Sequence, residues 1–265
     1  MQLLAMAYSV YKRDKERGFT LLELIMVLVI IAILSYAGAD LIVGPFRGYK
    51  ETETRVTLFE EARLALEKIA AELRLAIPNA IYCPDSTTIR FGMIDYATME
   101  QSNVFGMYKL DGDASPIDEY ITDVNSSAPT GALISIYNRR WQGDFKGGAR
   151  IYEVKDPGPP MRLDEQVKPG AYLKESRRFY VVSPFAVEYN LSGQTIYRRK
   201  APLSTTGVGS FTDPHPLVRS VKGFEVHYSP GNSIRNAVVS ITLKLGSDEG
   251  ENVTLHSEIH IPNVP

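Results

Sequence analysis

The chain has 265 residues, with 29 Lys and Arg against 31 Asp and Glu, a formal net charge of −2, 44% hydrophobic and 23% charged residues. That balance excludes a disordered polymer and a global basic field that would recruit nucleic acid. The one cysteine, Cys83, excludes an internal disulfide and a multi-cysteine zinc or iron–sulfur site. A small buried residue is the plain reading of Cys83, and intermolecular pairing is the other.

Taken in order, the chain begins with Lys12, Arg13, Lys15 and Arg17 set against Asp14 and Glu16, so its first 18 residues carry +2. From Phe19 to Ala39 the sequence is apolar apart from Glu23. As a helix this run is about 30 Å long, enough to cross a bilayer core. The basic flank sets the orientation: it stays cytoplasmic, and the chain beyond the apolar run is exported. A cleaved secretory signal, a plain membrane anchor and a helix cut ahead of its apolar run all compete as readings. A signal peptide has a shorter apolar core, with its cleavage site behind it. A plain anchor has no use for Glu23, because a carboxylate inside a membrane helix is costly and needs a partner. Cutting between Gly18 and Phe19 would create one, an α-amino group. A stray charge near the interface, protonated or snorkelling, is the bland alternative.

Arg17-Gly18-Phe19-Thr20-Leu21-Leu22-Glu23-Leu24 resembles the type IV prepilin processing motif. The resemblance implies cleavage after Gly18 by a prepilin peptidase and N-methylation of Phe19. It also implies that Glu23 attracts the Phe19 amine of a neighbouring subunit during assembly. Gly18 offers the peptidase a backbone without a side chain. A helix freed of its charged leader passes from lipid into a bundle of similar helices at small cost.

Gly44-Pro45 predicts a kink or break near residues 41–45, with Asp40 near the outer interface. Phe59, Ala62, Leu66, Ile69, Leu73 and Ala76 then recur at helical spacing. They form an apolar stripe that needs a sheet to cover, and Ile77-Pro78 is its stop. Beyond Pro78, runs rich in β-branched and aromatic residues predict strands over 88–94, 132–138, 149–154, 178–183, 186–191, 195–200, 217–229, 236–245 and 252–261. Pro230-Gly231-Asn232, Ser247–Gly250 and Asn190–Gly193 are the expected turns. The stretches 95–131 and 156–170 look irregular. With no βαβ alternation the sheet should be antiparallel. The expected fold is α+β and pilin-like: a long N-terminal helix on antiparallel sheet.

Chemistry is sparse, and neither a catalytic group nor a cofactor is expected. His256 and His260 have helical metal spacing, but alternation from Val253 to Ile261 makes this a strand with His256, Glu258 and His260 on its polar face. Metal binding there is not expected. Asp111, Asp113, Asp118 and Glu119 are calcium candidates that lack an EF-hand's spacing. Gly207–Ser210 lacks the lysine and helix of a phosphate loop. Arg139-Arg140-Trp141 is a partner or glycan candidate, with a partly buried Trp beside solvated arginines as the plainer reading. Sequons at Asn125, Asn190 and Asn252 carry little weight, because the prepilin resemblance implies a bacterial or archaeal host.

The domain plan is therefore a cytoplasmic leader over 1–18, a transmembrane and assembly helix over 19–45, an amphipathic helix over 46–78 and a periplasmic β-rich domain over 79–265. The length, the lone cysteine and the extra loops depart from major pilins and resemble the larger minor pilins and pseudopilins. Arg177–Ser183, Tyr197–Arg199 and His260–Pro265 resemble the O-type minor pilin of the mannose-sensitive haemagglutinin (MSHA) pilus. The resemblance implies an inner-membrane protein that joins other major and minor pilins at initiation or at the fibre tip on the cell surface. A type II secretion pseudopilin and a tip adhesin remain open.

Overall fold

The computed structural model describes residues 18–95, 106–107, 120–121, 128–158, 161–165, 167, 178–231 and 235–261; for 39–43, 106–107, 120–121 and 178 it describes the backbone only. The chain forms two units, Met1–Thr52 and Glu53–Pro265. The fold is α+β: one helix, then antiparallel sheets.

Helix α1 runs from Leu21 to Arg74 and contains Pro45. Of the kink or break expected near residues 41–45, the break is absent. Proline forgoes one backbone hydrogen bond, and the helix continues through it. The expected stop at Pro78 is also corrected, because α1 ends at Arg74 and Pro78 lies in strand β1 (Ala76–Asp85). There the pairing with β2 (Thr88–Ile94) slips between Ala76↔Met93 and Ile81↔Phe91. Pro78 sits in that bulge, where its missing N–H breaks no regular ladder bond. Asn79 takes the left-handed conformation beside it (φ 60).

The remaining strands are β3 (Gly106–Met107), β4 (Tyr120–Ile121), β5 (Leu133–Ile136), β6 (Ile151–Asp156), β7 (Met161–Leu163), β8 (Arg178–Ser192), β9 (Thr195–Ser204), β10 (Gly207–Val208), β11 (Thr212–Val218), β12 (Val221–Ser229), β13 (Ala237–Gly246) and β14 (Asn252–Ile261). Strands expected at 178–183 and 186–191 are one continuous β8, which crosses Pro184. The strand expected over 217–229 is two, divided at Ser220 (φ 57). Strands β3, β4 and β7 lie within stretches expected to be irregular.

β8 is the spine of the larger sheet. It pairs with β2 and β9 along its second half and with β5 and β3 along its first. The smaller sheet is β12-β13-β14, antiparallel throughout. The consecutive antiparallel strands expected at the C-terminal end are therefore found from Val221 to Ile261.

The buried side chains gather into two cores. In the first, Leu58, Ala62, Ala65, Leu66, Ile69, Ala70 and Leu73 of α1 pack with Phe91, Val187, Tyr189 and Ile196 of the larger sheet and with Val226, Ile241, Leu243 and Ile259 of the smaller. These helix positions repeat at three- and four-residue steps, so one face is covered. The expected stripe needs two corrections: Leu58 is buried where Phe59 is 41% exposed, and Ala76 is buried in β1 beyond the end of the helix. The second core gathers Trp141, Phe145, Ile151, Tyr152, Phe179 and Val181.

Polar ties cross the first core. Tyr189 donates its hydroxyl to Glu72 at 2.7 Å, and Arg198 Nε donates to both Glu72 oxygens at 3.0 Å. On the other face of the sheet Glu188 is buried between Arg90 (2.7 Å) and Arg199 (3.2 Å), its neighbours on β2 and β9.

Candidate functional site

Gly18, Phe19 and Thr20 precede the helix and are non-helical. The first helical bond runs from the Leu24 N–H to the Thr20 carbonyl at 3.1 Å. The Glu23 N–H donates to Thr20 Oγ1 at 3.2 Å, which makes Thr20 the N-cap. Glu23 stands in the first turn, where the helix dipole favours a carboxylate. Phe19 is 76% exposed. A Cβ added at Gly18 would meet nothing, and its φ is not left-handed, so the fold does not require glycine there.

Residues Leu21–Gly38 are long and apolar enough to cross a membrane, and none of that window is buried. Among the described residues no cation lies within ion-pair distance of Glu23. The site thus consists of an accessible peptide bond, a capped helix start and one carboxylate on an apolar rod.

The other candidates lie elsewhere. His256, Glu258 and His260 share the exposed face of β14. His256 Nδ1 is 3.1 Å from Thr242 Oγ1, and its Nε2 is 3.7 Å from Glu258. Two histidines four residues apart on a strand stand about 13 Å apart. Gly207 and Val208 form β10, which pairs back on β9. Asp111, Asp113, Asp118, Glu119 and Asn125 lie outside the described residues, as does the side chain of Asp40.

Trp141 is buried (3% exposed) in a π-helical turn, Trp141–Phe145, and stacks near Phe145 with ring centroids 5.5 Å apart. Arg139 is held by Asp144, which accepts its backbone N–H at 2.9 Å and lies 3.6 Å from Nε. The expectation of a partly buried Trp is corrected to a buried one. Cys83 is half-buried and packs against the first core. Burial first, and the Asp85 charge second, push its thiol up to about 12.

Sequence reasoning missed Thr20 as a helix cap. The signal was present, because Thr20-Leu21-Leu22-Glu23 has the spacing of a capping box.

Residues 13–35 match the prokaryotic N-terminal methylation motif. The match supports a type IV prepilin-like protein, pilin or pseudopilin, processed by a prepilin peptidase and assembled with other pilins. It ends inside the apolar half of α1, and the residues of the two cores lie beyond it. Neither the curated proteins nor the solved structures contain a match to the chain.

Proposed function

We propose that this chain is a minor pilin of an MSHA-like type IV pilus, acting at initiation or at the tip of the fibre. One observation carries the reading: Glu23 stands in the first turn of an unburied apolar helix, directly behind Gly18 and inside the matched motif. A peptidase at the cytoplasmic face cuts after Gly18, and Phe19 becomes the N-methylated mature terminus. Residues 19–45 hold the protein in the inner membrane, with the domain over 79–265 in the periplasm. The helix then leaves lipid for a bundle of similar helices, an exchange between apolar surroundings. Glu23 meets the Phe19 amine of a neighbouring subunit, which offsets the cost of its charge in that environment.

The size of the domain supports a minor subunit over a repeated one, since bulk fits a terminal position better than a lattice. N-terminal analysis of the membrane-extracted protein should give Phe19 as first residue, and a start beyond residue 35 would mean an ordinary secretory signal. Glu23→Gln should be cut and fold as the wild type does, yet co-purify poorly with other pilins. Equal co-purification would remove the ion pair from the account. Association with secretion-system subunits in place of fibre subunits would give the pseudopilin reading.

A further inference from the structure

We propose that Thr20 is a positioning residue for processing: its side chain caps α1 so that the Gly18–Phe19 peptide bond is presented as non-helical chain. The inference rests on the prepilin reading above. A helix extended by one residue would bond the Glu23 N–H to the Phe19 carbonyl. Extended by two, it would bond the Leu22 N–H to the Gly18 carbonyl. In the structure the Glu23 N–H is taken by Thr20 Oγ1 at 3.2 Å, and the first helical bond ends on the Thr20 carbonyl at 3.1 Å. The cap therefore uses up the donor that would draw Phe19 into the helix. Gly18 and Phe19 stay outside it.

The cap is needed because the flanking sequence favours helix. Downstream lies an unbroken run of Leu, Ile, Met and Val, and upstream Lys12–Arg17 consists mostly of straight-chain residues. Gly18 opposes helix only weakly. In the hydrolysis, water adds to the Gly18 carbonyl carbon, the bond to the Phe19 nitrogen breaks, and that nitrogen leaves as an amine with a proton. A peptide bond wound into the first turn of a helix is not offered to a peptidase as open chain. The Gly18–Phe19 bond lies ahead of the helix, and Phe19, 76% exposed, is accessible there. The new amine also emerges outside the helix. The bond uses the Glu23 backbone and not its carboxylate, so presentation and assembly are separable functions of the same turn.

The test uses the full chain in membrane vesicles with a prepilin peptidase, following the cut fraction over time by mass. Thr20→Ser and Thr20→Asn keep a capping oxygen, while Thr20→Val keeps the shape of threonine and loses the oxygen. Ser and Asn variants should be cut within about twofold of wild type, and the Val variant about threefold to thirtyfold more slowly, the range a lost N-cap allows. Hydrogen exchange at the Leu22 amide, in detergent, should be slower in the Val variant alone, because a helix extended by two residues bonds that amide to the Gly18 carbonyl. A Val variant cut as fast as wild type overturns the proposal, and so does an Asn variant as slow as Val, which would mean the peptidase reads the hydroxyl itself. A wild-type chain left uncut would instead sink the prepilin reading, and this inference with it.

Discussion

Glu72 gives the sharpest test of how α1 is held on its sheet. Its carboxylate accepts from the Tyr189 hydroxyl at 2.7 Å and from Arg198 Nε at 3.0 Å, and the Glu72 and Arg198 side chains are 17% and 13% exposed. Glu72→Ala removes the shared acceptor and leaves a phenol and a guanidinium without it in a mostly dry place. Hydrogen bonds to charged groups are worth about 1.5–3 kcal/mol each, and breaking one partner of a buried pair costs about 3–5 kcal/mol. Residual exposure trims this, so the expected loss is about 2–4 kcal/mol. For a unit of this size 1 kcal/mol moves the melting temperature about 2–4 °C, so the midpoint should fall about 4–16 °C. Trp141 is the only tryptophan and is buried in the second core, so its fluorescence reports the transition. The measurement is a thermal melt of the full-length protein in detergent. Glu72→Gln should lose roughly half as much, because an amide oxygen still accepts but no longer neutralises Arg198. A shift under about 1 °C for Glu72→Ala would show that solvent replaces the carboxylate and that the tie is ornamental.

The same melt separates the two sides of the helix: Ile69→Ala, at a fully buried position, should cost about 2–5 kcal/mol, while Phe59→Ala, at 41% exposure, should cost far less. At Gly148 (φ +70) a Cβ would lie 2.1 Å from the Thr205 carbonyl oxygen, so Gly148→Ala should lower the midpoint well beyond Gly193→Ala, where φ is +61 but the space is open. Cys83 should resist iodoacetamide at pH 8 until the protein is unfolded, as followed by intact mass, because burial holds the thiol protonated. The raised thiol pKa also sets a sign. Its contribution to stability is present below the ordinary thiol pKa and is lost as pH rises towards about 12, a trend Cys83→Ser should flatten.

The helix and the terminal sheet were legible because their periods are regular. The strand over 88–94 falls where its β-branched and aromatic run puts it, and that over 252–261 where alternation does. Two of the failures lie at proline. Pro45 reads as a break and is carried within the helix, and Pro78 reads as a stop and lies in a bulged strand. In both cases a long-range arrangement overrides a local signal, and proline alone does not reveal whether its missing N–H was needed. Phe59 misled for a related reason, since a stripe four residues wide leaves its edge member undecided until the sheet is in place. Of the N-terminal site, the order of residues was readable, but the start of the helix depended on one side-chain oxygen.

One consequence of strand β8 concerns which length changes this protein tolerates. Val187 and Tyr189 face the first core, while Ala186 belongs to the second and Glu188 lies between two arginines on that same side. Side chains alternate along a strand, so one inserted residue near Phe185 would exchange the contents of both faces at once. Glu188 would leave Arg90 and Arg199 and be driven against α1 beside the Glu72 carboxylate, and Tyr189 would lose Glu72. A deletion would do the same in reverse. Added or lost residues must instead fall at turns such as Gly193-Gln194, where the chain reverses between β8 and β9 and a side chain on the glycine would meet open space. Homologous chains should therefore vary in length at their loops and keep this strand's count fixed.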